Sequence, residues 1–154
     1  MISIQSNDFD HSTEYEALRA RASSDGAIVT FTGLVRDFNP NGLVANLVIE
    51  HYPEMTQKSL EDICQQARER WQLGHIRLIH RVGNINAQEQ IVFVGVTSRH
   101  RKSAFEACEF IMDYLKTNAP FWKQEGTRSG LQWVKAKTSD KQAASRWDKP
   151  TNSN

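Results

Sequence analysis

No stretch of the 154-residue chain comes near the ~20 consecutive apolar residues that a membrane-spanning helix needs. The opening MISIQSNDFDH has neither a basic start nor an apolar core, so it does not read as a signal peptide. A broad excess of positive charge is missing too: 19 lysines and arginines face 18 acids, for a formal net charge of +1. General binding to nucleic acid or to an anionic membrane needs a wide basic surface, so neither partner is expected. Any anion recognition has to come from local clustering. Only two cysteines occur, Cys64 and Cys108, and they form no CxxC pair. Each falls on an apolar face of a predicted helix. They read as small core residues in a cytoplasmic protein rather than as a disulfide or a catalytic thiol. Metal chemistry has no motif either. HExxH is absent, no Cys/His cluster exists, and His75 and His80 are an odd number of residues apart on one predicted strand, hence on opposite faces. GxGxxG, Walker and nucleophile-elbow sequences are absent as well. There is no internal repeat and no low-complexity segment.

What is present suits one domain with a real hydrophobic core, over residues 1–147, followed by a polar tail, 148–154, expected to be disordered. A first helix is predicted from HSTEYEALRARASSDG, with Thr13 and Glu16 spaced as a capping box. AIVTFTGLVR is a strand with Ala27, Val29, Phe31 and Gly33 on one face. DFNPNG is turn chemistry, and LVANLVIEHY is a second strand with Leu43, Ala45, Leu47 and Ile49 aligned. A second helix carries Leu60, Ile63, Cys64, Ala67 and Trp71 at helical spacing, with Gly74 as its stop. HIRLIHRVG gives a third strand and NINAQE a connection. QIVFVGVTSR is apolar almost throughout, the pattern of a central strand. The third helix buries Phe105, Cys108, Ile111, Met112 and Leu115 and stops at Pro120. FWKQE and LQWVKAK read as two more strands around GTRSG. Strands and helices alternate, with extra strands at the end, which is an α+β domain.

The chemistry-bearing residues gather at the two ends of the third helix. Arg99, His100, Arg101 and Lys102 crowd its start, capped by Ser98 or by Ser103 with Glu106. The helix dipole disfavours cations there by roughly 0.3–1 kcal/mol each. An anion held by the free helix N–H groups would offset that cost. A solvated basic corner is the other reading. Arg36 closes the first long strand, either as a ligand for an anion or as a surface arginine. Lys116, in the last turn, either caps carbonyls or acts chemically among Met112, Leu115, Pro120, Phe121 and Trp122. Strand alternation places Phe121, Lys123 and Glu125 on one face, where Lys123 is either paired to a carboxylate or reactive.

VTFTGLVR, LVIEHYPEMTQKSL, IVFVGVTSRHRKSAFEACEFIMDYLKTNAPFWKQE and SDKQAASRW closely resemble the large, catalytic subunits of molybdopterin synthase, from about residue 25 to Trp147. The resemblance implies an α/β hammerhead-type domain with a small added antiparallel sub-domain. It implies a sulfurtransferase of molybdenum-cofactor synthesis that inserts two sulfurs into cyclic pyranopterin monophosphate. No cofactor is implied, because the sulfur arrives as a C-terminal thiocarboxylate on a small ubiquitin-like subunit. A homodimer of large subunits inside a heterotetramer is implied as the assembly. Position by position, Arg36, His100 and Arg101 match substrate-binding residues, and Lys116 matches the essential lysine beside the thiocarboxylate. Lys123, Gln124 and Glu125 match a second lysine segment. Leu34, before Val35 and Arg36, replaces a lysine found in many relatives, and only a backbone contact survives that change. Lys137 stands where an arginine serves anionic groups, and keeps the charge without the bidentate fork. Helical rise puts His100 and Lys116 roughly 24 Å apart, so a site using both is expected to be shared between dimer mates. The alternative function is a non-catalytic anion-binding scaffold that docks a ubiquitin-like tail.

Overall fold

The structure, a computed structural model, describes residues 1–40, 42–127, 130–134 and 137–148. In chain order its elements are β1 (Ile2–Gln5), α1 (His11–Arg21), β2 (Ala27–Leu34), β3 (Phe38–Asn39), β4 (Gly42–Leu43), β5 (Asn46–His51) and α2 (Pro53–Arg70). There follow β6 (Ile76–Arg81), β7 (Gly83–Asn86), β8 (Gln90–Ser98), α3 (Arg101–Thr117), β9 (Phe121–Thr127), β10 (Gly130–Trp133), α4 (Thr138–Ser145) and a 3-10 turn at Arg146–Asp148. Two four-stranded sheets result, in the orders β1-β6-β8-β2 and β10-β9-β5-β7, beside the β3-β4 hairpin. The first sheet is mixed, because β1 runs parallel to β6. The second is antiparallel at every pairing, and it is the added sub-domain of the α+β fold.

β8 explains the layering. Val92, Val94 and Val96 face the main core with α2 and α3, while Phe93 packs on the other side with Phe9, Leu18 and Ile79 beneath α1. Both faces of that strand are covered, so its sequence is apolar throughout, as expected of a central strand. Gly95 leaves room for the α1 side chains: a Cβ would lie 2.3 Å from Leu18 Cδ1, which would have to move. Leu60, Leu78, Phe93, Phe110 and Ile111 are fully buried, and each contributes about 1.5–3 kcal/mol of hydrophobic stabilisation.

Several elements differ from expectation. α1 is capped by Asp10, not Thr13: Asp10 Oδ2 accepts from Thr13 N at 3.3 Å and Thr13 Oγ1 at 2.6 Å. α3 is capped by His100 with no side-chain bond. Ser98 instead donates to Gln72 O at 2.9 Å, and Glu106 accepts from Trp71 Nε1 at 3.0 Å. Phe105 is 61% exposed, because Ala104, Ala107, Phe110 and Tyr114 turn the buried stripe of α3 away from it. Leu43 is 67% exposed, since it belongs to the β3-β4 hairpin and not to β5. Phe31 is also exposed, on an edge strand of its sheet. β6 begins at Ile76, so His75 precedes the strand that holds His80. α2 ends at a Trp71 cap, and Gly74 has a packing role: a Cβ there would collide with Asp25 and Thr97. β1, β7 and α4 are additional elements. Asp148 closes the 3-10 turn, and the rest of the expected tail lies outside the described residues.

Candidate active site

Three elements converge where α3 ends. The last turn of α3 presents Leu115 and Lys116. β9 follows after Pro120 and, by strand alternation, turns Phe121 and Lys123 inward and Trp122 outward. α4 then crosses over α3. Asp113 of α3 holds it there, accepting from Arg146 Nη2 at 2.8 Å and from Trp147 Nε1 at 2.7 Å. Glu109 adds an ion pair to Arg146 at 2.5 Å. Trp147 packs edge-on against Trp71 and Phe110, which anchors the end of the fold to the core. This clip sets Lys137, the N-cap of α4, and Asp140 over the gap. Arg36 reaches the same place from the end of β2.

The outcome is a cavity of about 180 Å³ lined by Arg36, Lys116, Lys123 and Lys137, with Asp140 as its one carboxylate among the described residues and Leu115, Phe121 and Val134 among its walls. Neither Lys116 nor Lys123 lies within ion-pair distance of a carboxylate among the described residues. Lys123 is half-buried. Desolvation, then repulsion from Lys116, pushes its pKa down to about 8, against a smaller opposing pull from Asp140. Lys116 keeps solvent-accessible surface at the cavity mouth, yet protein crowds its amine. Desolvation lowers its pKa, Asp140 opposes, and Arg36 and Lys137 add to the lowering. Two lysines whose pKa values are lowered by desolvation give up protons more readily than free lysines and can serve as acid, base or nucleophile. The cysteines cannot: burial pushes the Cys64 thiol up to about 11 and the Cys108 thiol up to about 12.

The cavity gathers four of the sequence-predicted site residues: Arg36, Lys116, Lys123 and Lys137. The others lie elsewhere. His100 and Arg101 are exposed at the far end of α3. Val35 is buried, with its N–H on Glu89 O at 2.9 Å and its carbonyl on Gln88 N at 2.7 Å. Leu34 is exposed beside a register shift of β2. Gln124 pairs with Trp133 and Val48 across the sheet, on the face opposite Lys123. Glu125 accepts a short hydrogen bond from Asn39 Nδ2. No group of three or more potential metal ligands occurs among the described residues, and none of their helices is long and apolar enough to cross a membrane.

Two residues of the site escaped the sequence reading. Asp140 sits in the SDKQAASRW segment, where nothing local marks it as a cavity residue. His80 lies beneath the lysines, stacked on Phe121 with ring centroids 4.0 Å apart. A lone histidine inside the apolar run IRLIHR was the available signal.

Comparisons with known proteins agree on one family. Residues 4–118 match the family model described as MoaE protein. The molybdopterin synthase catalytic subunit of Vibrio cholerae is 55% identical over 147 residues, covering 96% of this chain and 97% of that protein. The molybdopterin synthase catalytic subunit of Escherichia coli is 56% identical over 139 residues, covering 90% and 92%. Among solved structures, the molybdopterin biosynthesis MoaE protein from Burkholderia ambifaria superposes with a TM-score of 0.82 at 48% identity, covering 96% of this chain and 97% of the other.

Proposed function

The chain belongs to the MoaE protein family, whose curated relatives are molybdopterin synthase catalytic subunits, and from that premise we propose how its residues share the work. The enzyme is a sulfurtransferase of molybdenum-cofactor synthesis. Its substrate is cyclic pyranopterin monophosphate, and its product carries the two dithiolene sulfurs of molybdopterin. A catalytic subunit implies a companion, here a small ubiquitin-like subunit whose C-terminal thiocarboxylate brings each sulfur into the cavity. The enzyme works in the cytoplasm and needs no resident metal or cofactor. The observation that carries this reading is the pairing of two desolvated lysines with two further cations in one cavity.

Charge assigns the roles. Lys116 meets the incoming thiocarboxylate at the cavity mouth. Its lowered pKa gives it a larger neutral fraction, so it can move protons while sulfur adds to the pterin side chain. Lys123, at about 8, is poised as general acid or base. Arg36 and Lys137 hold phosphate and pterin oxygens with charge-assisted hydrogen bonds. His100 and Arg101 complete the site from a second copy of the chain, in a central dimer that carries one small subunit at each end. The start of α3 suits an anion: its first turn has no acidic residue and its cap makes no side-chain bond.

Reconstitution tests this directly. The protein is mixed with a thiocarboxylated small subunit and cyclic pyranopterin monophosphate, and the dithiolene pterin is sought by mass spectrometry. Product from wild type and none from Lys116→Ala is the expected result. A stable complex with the small subunit but no product would favour the non-catalytic scaffold.

A further inference from the structure

His80 has no part in the roles above, yet it is one of the few buried titratable groups among the described residues. Its ring is fixed twice. It stacks on Phe121 with an interplanar angle of 18°, and Nδ1 lies 2.8 Å from Arg81 O. A carbonyl only accepts, so Nδ1 carries the proton and Nε2 is left as a pure acceptor. Burial first, and the Lys123 charge second, push its pKa down to about 3. The imidazole is therefore neutral at any working pH. His80, Lys116 and Lys123 together line a second small cavity of about 30 Å³, whose other walls among the described residues are Ile91, Val92, Met112 and Leu115. That volume exceeds the roughly 10–15 Å³ that one water requires, and a buried water needs two to four polar partners.

We infer that His80 is a positioning residue that anchors a single water between Lys116 and Lys123, through which the two lysines exchange a proton. The water makes three hydrogen bonds in either protonation state. With both lysines protonated, the water oxygen accepts one N–H from each and donates one O–H to Nε2. With Lys123 neutral, the second O–H turns to its lone pair. A transfer then breaks one N–H bond of Lys116 and forms one on Lys123, with one water O–H broken and one formed between them. His80 stays neutral throughout. Around this water stand Lys116 from α3, Lys123 from β9 and, further out, His51 of β5, Arg36 after β2, and Lys137 and Asp140 of α4. An uncharged acceptor is what such a crowd of cations can use, because a carboxylate would hold the lysines protonated.

This inference rests on the assignment of Lys116 and Lys123 to the reaction, so its test carries a control for that assignment. His80→Phe keeps the stack on Phe121 and removes the acceptor, whereas His80→Gln keeps an acceptor. In the reconstituted complex, His80→Phe should lower kcat roughly tenfold or more, with KM for the pterin substrate within about twofold. The limb of its pH–rate profile near 8 should move to lower pH, since an ammonium loses solvation. His80→Gln should recover most of the rate and return the limb. Two results overturn the inference: His80→Phe matching wild type in rate and limb, or both variants equally slow with the limb unmoved. If His80→Phe loses cooperative unfolding, a crystal structure of the wild type decides, by water or no water in that cavity. Lys116→Ala at the wild-type rate would remove the reading of the site itself. Lys116→Ala inactive beside an unaffected His80→Phe would remove only the water.

Discussion

The two ends of α3 carry the same sign of charge in opposite settings. At the start, His100, Arg101 and Lys102 stand in solvent, and the one local ion pair, Lys102 to Glu106 at 4.0 Å, is exposed and weak. At the end, Lys116 and Lys123 share a cavity whose walls crowd their amines and lower both pKa values, although Lys116 keeps exposed surface. A hydrated arginine or lysine attracts and holds an anion but gives up its proton reluctantly. A desolvated lysine has a lowered pKa and exchanges its proton more readily. On the proposed roles the start of the helix binds and the end reacts, and substitutions at the two ends should fail in different ways.

The largest effect belongs to the reacting end. Lys116→Ala should lower turnover by about a thousandfold or more in reconstitution, with cooperative unfolding and small-subunit binding retained. A loss confined to KM would erase the contrast between the ends, because it would make Lys116 a binder like His100.

Lys123→Met sharpens the contrast through stability. Lys123 is pushed from its ordinary value of 10.5 to about 8, so the fold disfavours its charge. Between those values the unfolded chain binds more protons than the folded one. Stability therefore rises with pH through that window, and below it the full cost is present. Methionine removes the cost. The variant should be inactive by about a hundredfold and yet more stable at pH 7 by about 2–3 kcal/mol, with the rise above pH 8 abolished. Denaturant melts at pH 7 and 10 read both effects. A less stable variant would mean that Lys123 is held by attractive partners, not tolerated for chemistry.

At the binding end, His100→Ala or Arg101→Ala should cost about ten- to a hundredfold, mainly in KM and less at high salt. Mixing tests the shared site. Dimers of Lys116→Ala with His100→Ala place both lesions in one site and leave the other whole, so random pairing should recover about a quarter of wild-type activity. No recovery would mean that each site draws both helix ends from a single chain, and would defeat the shared site.

Sequence reading placed Lys116 and Lys123 correctly in their elements because helix and strand periodicities are local, whereas their proposed role came from the family resemblance. Lys116 in a last turn and the alternation of Phe121 with Lys123 follow from spacing alone. The α+β order and the central place of β8 were legible for the same reason, since an apolar run reports two covered faces. What failed was long-range. β7 is the polar sequence GNIN, a strand only because β5 pairs with it. Phe105 has the chemistry of a core residue, but the neighbours of α3 decide which stripe is buried. Asp140 enters the cavity because Asp113, many residues earlier, clips α4 in place. His80 is legible as a buried histidine, while its place under two lysines depends on the crossing of β6 with α3 and β9. The cap of α3 went to His100 because Ser98 and Glu106 have tertiary partners that local rules do not see.

The smallest predicted effect lies between the two ends in character. Lys137 is exposed like the cations at the start of α3, yet it lines the reacting cavity. If exposure governs, it acts as a binder despite its address. Arginine in its place would keep the charge and add a planar fork that matches phosphate or a pterin oxygen pair. Lys137→Arg should therefore lower KM for the pterin substrate by roughly two- to threefold, with kcat unchanged, because an exposed contact is worth at most about 1 kcal/mol. Steady-state kinetics at fixed small-subunit concentration reads the split. A change in kcat with KM unmoved would mean that address outweighs hydration, and that Lys137 belongs with Lys116 and Lys123 in moving protons.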